Sequence, residues 1–258
     1  MGWNLRSDMS LSWWQSHLDS FYGDVNSKRQ VLETFARVTE MATGISRGVR
    51  EENKEILEKF MPRFLAWILG LASQLNIDLE KAVWDNYPGV CPYCRKDINC
   101  SCKISKDYTN RLSDGDEVKK YQLVYQKPEN LVEWVGMYSR IYGQINKNTG
   151  KMKMLSHFLE ELGELSEIIR FNIVAEEDLV KWNVALSKSE IKQNLDQEIS
   201  DLFSWFCGLA DILGVEIDYF MKGNYGAVCP ECASKPCDCD PYYVHKKLRL
   251  GSKKGGVL

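Results

Sequence analysis

The sequence contains no apolar run long enough to cross a lipid bilayer. Its most apolar stretch, residues 64–75, has about twelve residues and includes Ser73 and Gln74, whereas a membrane-spanning helix needs about 20. The amino terminus has no basic segment followed by an apolar one, which is the pattern of a secretory signal. We therefore expect a cytoplasmic protein that has no membrane partner.

Neither sign of charge dominates the sequence. The 258 residues include 33 Lys and Arg against 36 Asp and Glu, a formal net charge of −3. Such a balance offers no chain-wide positive surface, so we do not expect the chain as a whole to bind nucleic acid. The composition is 44% hydrophobic and 27% charged, which is typical of a folded protein with a buried core rather than a disordered one.

Eight of the nine cysteines form two closely spaced quartets. The spacings are C-x2-C-x5-C-x-C and C-x2-C-x4-C-x-C, and the residues are Cys91, Cys94, Cys100 and Cys102 in the first and Cys229, Cys232, Cys237 and Cys239 in the second. This spacing lets four thiolates converge on one tetrahedral ion, as in structural zinc sites. The alternative is a disulfide framework, which a reducing compartment disfavours. The sequence therefore predicts two zinc knuckles, each holding one structural Zn²⁺ ion.

The sequence around the quartets repeats in tandem. Residues 67–92 match residues 205–230, and residues 11–47 match residues 131–170. The spacing between the copies grows along the chain, so the second copy carries about 15 extra residues near 174–188. The predicted organisation has four parts: a first copy at 1–103, a linker at 104–128, a second copy at 129–242 and a basic tail at 243–258.

Apolar residues recur with a helical period in both copies, and no segment shows the alternation of strands joined by hairpin turns. Ser27 with Gln30 and Ser187 with Glu190 have the form of capping boxes at helix starts. In the second copy we expect helices near 129–142, 150–173, 188–213 and 215–222. The sequence thus predicts an all-α fold of two helical bundles, each ending in a zinc knuckle.

Acidic residues flank the apolar stripes of two helices in the second copy. Glu161 and Glu164 lie one turn apart on one helix, next to Glu160, and Glu198 and Asp201 lie one turn apart on the next. Carboxylates that converge between packed helices repel one another unless a cation neutralises them, and Mg²⁺ prefers oxygen ligands. We therefore predict a Mg²⁺ site, the alternative being a solvated helix face.

The same acids carry a resemblance to a known family. Glu160-Glu161-Leu162-Gly163-Glu164, followed by Glu198-x-x-Asp201, resembles the EExxE and ExxD motifs of the MazG-like all-α nucleoside triphosphate pyrophosphohydrolases. The resemblance is strong over residues 150–240 and reaches the first copy only through the repeat. It implies tandem MazG-like bundles that hydrolyse a nucleoside triphosphate to the monophosphate and pyrophosphate. It also implies a catalytic Mg²⁺ surrounded by Glu160, Glu161, Glu164, Glu198 and Asp201.

The first copy lacks every one of these acids. The matching positions are Arg37, Val38, Met41, Phe60 and Arg63. We therefore interpret features that both copies share, such as Tyr87 and Tyr225, as architecture, and those unique to the second copy as candidates for chemistry. A catalytically silent adaptor, whose knuckles bind RNA or a protein, remains the alternative function.

Three further residues are candidates for substrate binding. Lys222 replaces Trp84 of the first copy and could contact a triphosphate, although it could equally be a solvated lysine. Trp205 could stack on a nucleobase, but the matching Trp67 favours bundle packing. Trp182 lies in the insertion, which could be a lid over the site or a passive loop. The sequence leaves open whether the protein forms a homo-oligomer or an intrachain pseudo-dimer.

Overall fold

The computed structural model describes residues 9–102, 111–173, 178 and 186–239. Over these residues the chain forms nine α-helices and no strand, so the predicted all-α class is confirmed. The first copy supplies α1 (Leu11–Asn26), α2 (Val31–Arg50), α3 (Lys54–Gln74) and α4 (Leu79–Asn86). The second supplies α6 (Leu131–Thr149), α7 (Lys151–Ile173), α8 (Lys188–Leu213) and α9 (Ile217–Tyr225), and α5 (Gly115–Val124) lies in the predicted linker.

Local capping interactions fix the helix boundaries. The capping box at Ser187 is present, with its side chain accepting from the backbone of Glu190 and the Glu190 carboxylate accepting in return. Ser27 instead ends α1, and the box at the start of α2 is formed by Gln30 and Glu33. The predicted capping box at Ser27 was therefore placed too early in the sequence, because Ser27 is the C-cap of α1 and Gln30 is the N-cap of α2.

The two copies share one hydrophobic core. Within each copy the second and third helices pack together, α2 against α3 and α7 against α8. The short fourth helices cross over: α4 packs on α8 of the second copy, and α9 packs on α3 of the first. Phe64 of α3 illustrates the shared core, because its ring centroid lies 5.0 Å from that of Phe158 and 5.3 Å from that of Phe206.

The two cysteine-rich segments cross over in the same way. The backbone N–H of Cys100 donates to Ile141 O of α6 at 2.7 Å, so the first segment is attached to the second copy. The N–H of Cys237 donates to Phe21 O of α1 at 2.8 Å, so the second segment is attached to the first copy. Each cysteine quartet therefore closes the interface between the copies.

The described part of the predicted linker packs against the first copy. Leu112 and Val118 are buried with Val90, and the Leu112 N–H donates to Pro92 O at 2.8 Å. Most of the predicted insertion, including Trp182, lies outside the described residues, as does the predicted basic tail. None of the helices in the described ranges combines the length and the apolar character that crossing a membrane requires.

Because the two copies share one core, we expect that truncating a buried side chain in one copy destabilises both. Phe64→Ala removes a ring that is 1% exposed and contacts the second copy. We expect it to lower the free energy of unfolding by about 3–5 kcal/mol, because it loses buried apolar area and leaves a cavity. The measurement is chemical denaturation followed by tryptophan fluorescence and by far-UV circular dichroism.

The control for this prediction is Leu123→Ala, because Leu123 is 87% exposed and its truncation should cost less than about 0.5 kcal/mol. Both probes should report one transition in the wild type and in the variant. A first copy that unfolds separately, leaving the second copy intact, would contradict the shared core.

Candidate metal centres

Three of the predicted acidic ligands converge between α7 and α8. Glu161 and Glu164 of α7 and Glu198 of α8 each offer a carboxylate oxygen, and these oxygens lie within 4.8 Å of one another. Glu164 is exposed, whereas Glu161 and Glu198 are half-buried. The Glu198 Oε2 atom is buried and has no hydrogen-bond partner among the described residues. We call these three residues the acid cluster.

The surroundings of the acid cluster disfavour its charged form. Burial, followed by the charges of Asp201 and Glu164, raises the pKa of Glu161 to about 8. Burial and the same two neighbours raise the pKa of Glu198 to about 7. Because a divalent cation would offset this repulsion directly, the cluster has the electrostatic character of a cation site.

Trp205 and His157 border the acid cluster. The Trp205 Nε1–H donates to Glu161 Oε1 at 2.9 Å, so the indole positions this carboxylate. The His157 ring stacks on the Trp205 ring with 4.8 Å between centroids. Glu160 turns towards His157, with 2.6 Å between its Oε2 and His157 Nδ1, and is 59% exposed. The structure therefore places Glu160 outside the acid cluster.

Asp201 lies next to the acid cluster but is already paired. Its carboxylate accepts from Arg111 Nη2 at 2.7 Å and from Arg111 Nη1 at 2.8 Å. It also accepts from the Tyr87 hydroxyl at 2.6 Å. Asp201 is 8% exposed, so this network replaces most of its hydration. Of the five predicted acidic ligands, the structure thus brings three together, whereas Asp201 forms an ion pair with the Arg111 guanidinium.

Neither Arg111 nor Tyr87 was among the site residues predicted from the sequence. Tyr87 was assigned to architecture because Tyr225 matches it, and Arg111 lies in a linker that matches nothing in either copy. Tyr87 reaches Asp201 because α4 crosses over to pack on α8. No spacing or period in the sequence reports this crossover, so no sequence signal pointed to either residue.

Lys222, the second predicted binding residue, is already paired. Lys222 forms an ion pair with Asp218, with 2.6 Å between Nζ and Oδ2, one turn earlier on α9. Helix α9 packs against α3 and α6 rather than covering the seam between α7 and α8. Trp182 lies outside the described residues, so its predicted role as a lid anchor stays a prediction.

In the first copy, apolar side chains fill the seam that matches the acid cluster. Val38, which matches Glu161, is completely buried. Phe60, which matches Glu198, lies so close to Gly44 that a Cβ atom there would be 2.2 Å from its ring. Met41, which matches Glu164, is partly buried against the same core. The first copy therefore keeps the scaffold but has packing where the second has charge.

Each cysteine quartet forms a compact group of four sulfurs. The Sγ–Sγ distances include 3.4 Å for Cys91 with Cys102 and 3.6 Å for Cys94 with Cys100. In the second quartet, 3.9 Å separates Cys229 from Cys239, and the Cys232 to Cys237 distance is 3.8 Å. All are free thiols. Four sulfurs placed about 2.3 Å from a tetrahedral ion lie about 3.8 Å apart, so both quartets could hold zinc.

Within the described residues, the fold and the sites define an all-helical protein with one acid cluster and two four-cysteine clusters. Comparisons with models of known families, with curated proteins and with solved structures give no significant match to this chain. The resemblance to MazG-like enzymes therefore rests on the acidic motifs of the sequence.

The raised pKa of Glu161 predicts a pH-dependent stability. Below its ordinary pKa of 4.5, Glu161 is protonated in both the folded and the unfolded chain and carries no penalty. As the pH rises towards 8, the unfolded chain releases this proton before the folded chain does, which favours unfolding. Without added Mg²⁺, Glu161→Gln should therefore melt at a higher temperature than the wild type at pH 8, with a smaller gain at pH 5.

This comparison uses Glu167→Gln as its control, because Glu167 is exposed one turn after Glu164 on the same helix. The amide in Glu161→Gln can still accept from Trp205, so the change isolates the charge. An equal gain at both pH values would show that burial and repulsion do not act on this carboxylate.

Proposed function

We propose that the chain is a Mg²⁺-dependent nucleoside triphosphate pyrophosphohydrolase, with Glu161, Glu164 and Glu198 as the magnesium ligands. The observation that carries the proposal is the convergence of three carboxylates from two helices within 4.8 Å. The residues fit the ion, because all three offer hard oxygen donors and the buried Glu198 Oε2 has no hydrogen-bond partner in the part of the chain that the structure describes. The EExxE and ExxD motifs add the reaction class.

The chemistry of the site divides between the ion and the protein. When bound, Mg²⁺ would offset charge on the phosphate oxygens and would lower the pKa of a coordinated water. Trp205 holds Glu161 through Oε1, so this carboxylate keeps its orientation at the seam. One of the cluster carboxylates would position the attacking water or accept its proton. The packed core beneath the seam fixes both helices, which keeps the carboxylates aligned.

We also propose that each cysteine quartet holds one structural Zn²⁺ ion. The supporting observations are the sulfur distances and the attachment of each quartet to the other copy through Cys100 or Cys237. These attachments favour a structural role for the knuckles over the adaptor function, because they turn part of each knuckle towards the chain itself.

The first experiment tests the enzymatic proposal. Pyrophosphate release should be measured over a panel of ribo- and deoxyribonucleoside triphosphates, with and without Mg²⁺. Glu198→Gln should lower kcat/KM on the best substrate by about 100-fold or more, because it removes a charged ligand while preserving size. Glu167→Gln is the matched control and should retain activity. Turnover that is independent of Mg²⁺, or unaffected by Glu198→Gln, would refute the assignment.

The second experiment tests zinc. Protein purified without chelator should contain close to two zinc ions per chain by elemental analysis. Cys94→Ser should lower the content to about one and reduce thermal stability, because zinc binding contributes to folding only when the thiolates are assembled. Cys207→Ser is the control, since Cys207 is buried apart from both quartets and should leave the zinc content unchanged. Disulfides, or metal-free protein, would contradict the proposal.

A further inference from the structure

A guanidinium is built into the edge of the acid cluster. Arg111 forms a two-pronged ion pair with Asp201, with distances of 2.7 and 2.8 Å, and their side chains are 13% and 11% exposed. A planar fork matched to both carboxylate oxygens and shielded from water is the strongest geometry for such a pair. Arg111 comes from the linker, whereas Asp201 belongs to the ExxD motif of the second copy.

Arg111 is held in place by several further contacts. Its Nη1 donates to the Tyr93 hydroxyl at 3.0 Å, and its Nη2 donates to Asn86 Oδ1 at 3.3 Å. The guanidinium carbon lies 5.5 Å from the ring centroid of Tyr93 and 5.7 Å from that of Tyr87. Moving the side chain towards solvent would break all of these contacts together. Arg111 is therefore a fixed positive charge rather than an arm free to reach a substrate.

The paired carboxylate has little capacity left for a cation. Asp201 Oδ1 accepts from both Arg111 and Tyr87, and Oδ2 accepts from Arg111. A metal ion bound by Asp201 would also lie beside the guanidinium, and the two positive charges would repel each other. We propose that Arg111 is the resident counter-ion of Asp201, which excludes Asp201 from the ligand set and lowers the cation affinity of the acid cluster.

This inference deepens the proposed function and rests on its metal site. It also gives a role in the site to the first copy, which lacks the acids of the cluster. Tyr93 and Pro92 lie between Cys91 and Cys94 of the first cysteine quartet, the Leu112 N–H donates to Pro92 O, and Asn86 ends α4. The first copy and its knuckle therefore set the position of Arg111, and through it the electrostatic potential at the acid cluster of the second copy.

The test measures Mn²⁺ binding to the full-length, zinc-loaded chain without nucleotide, by electron paramagnetic resonance of free Mn²⁺. Arg111→Gln removes the positive charge and releases Asp201 as a ligand, so the affinity should rise about tenfold. Adding Asp201→Asn to that variant should return the affinity to near the wild-type value, because the gain depends on Asp201. An arginine with only a structural role would not produce a gain that Asp201→Asn abolishes.

Two further variants complete the design. Lys119→Gln removes an exposed positive charge from α5 and should leave the affinity unchanged, which controls for net charge. Arg111→Lys keeps the charge but cannot fork both oxygens, so it should give a smaller gain than Arg111→Gln. If Arg111→Gln is unfolded without Mn²⁺ and folds when Mn²⁺ is added, the proposal is supported. If it does not fold at all, an unchanged affinity in Arg111→Lys overturns the proposal.

The outcomes separate this inference from the proposed function. An unchanged or weaker affinity in a folded Arg111→Gln variant overturns the inference, even where Glu198→Gln abolishes Mn²⁺ binding and thus supports the metal site. Conversely, Mn²⁺ binding that ignores Glu198→Gln refutes the proposed ligands. In that case, Mn²⁺ binding that is gained in Arg111→Gln and lost again when Asp201→Asn is added still supports the counter-ion role.

Discussion

The apolar faces of α3 and α8 are buried against helices from both halves of the chain. Helix α8 packs on α6 and α7 of its own copy and on α4 of the other, and α3 has the matching neighbours α1, α2 and α9. Apolar burial is the main favourable term in folding, so exposing the third helix of either copy would cause a large loss of folding free energy. The crossed fourth helices and the crossed cysteine quartets follow from this arrangement, because each has to cover the other copy.

The same crossover determines the chemistry of the acid cluster. Carboxylates at a buried seam carry a desolvation cost, and the structure meets it in two ways. Asp201 is neutralised by a guanidinium delivered from the linker, and Tyr87 of the first copy adds a hydrogen bond. Among the described residues no guanidinium pairs with the three glutamates, and burial, followed by the charges of Asp201 and Glu164, raises the pKa of Glu161 and of Glu198. The uncompensated charge is thus confined to one small part of the seam.

Comparison of the two seams shows how one scaffold carries either packing or charge. In the first copy Phe60 packs onto Gly44 and Val38 is fully buried, so the seam between α2 and α3 gains apolar contacts. In the second copy Glu161 and Glu198 stand at the matching positions. The seam between α7 and α8 therefore has carboxylates that a cation would stabilise where the first copy has apolar contacts. The first copy, which has none of these acids, supplies α4 and about half of the shared core.

The sequence by itself predicted the helical class, the two cysteine quartets and five acidic ligands, of which the structure brings Glu161, Glu164 and Glu198 together. These features depend on local periods and short spacings, which the chain expresses within a few turns. The predicted boundaries 150–173 and 188–213 accordingly lie close to those of α7 and α8. Only the tertiary structure decided that Arg111 pairs with Asp201 and that Tyr87 serves the other copy. Those contacts join residues 90 and 114 positions apart. They depend on which apolar helix faces pack together across the chain, and no local sequence pattern encodes that packing.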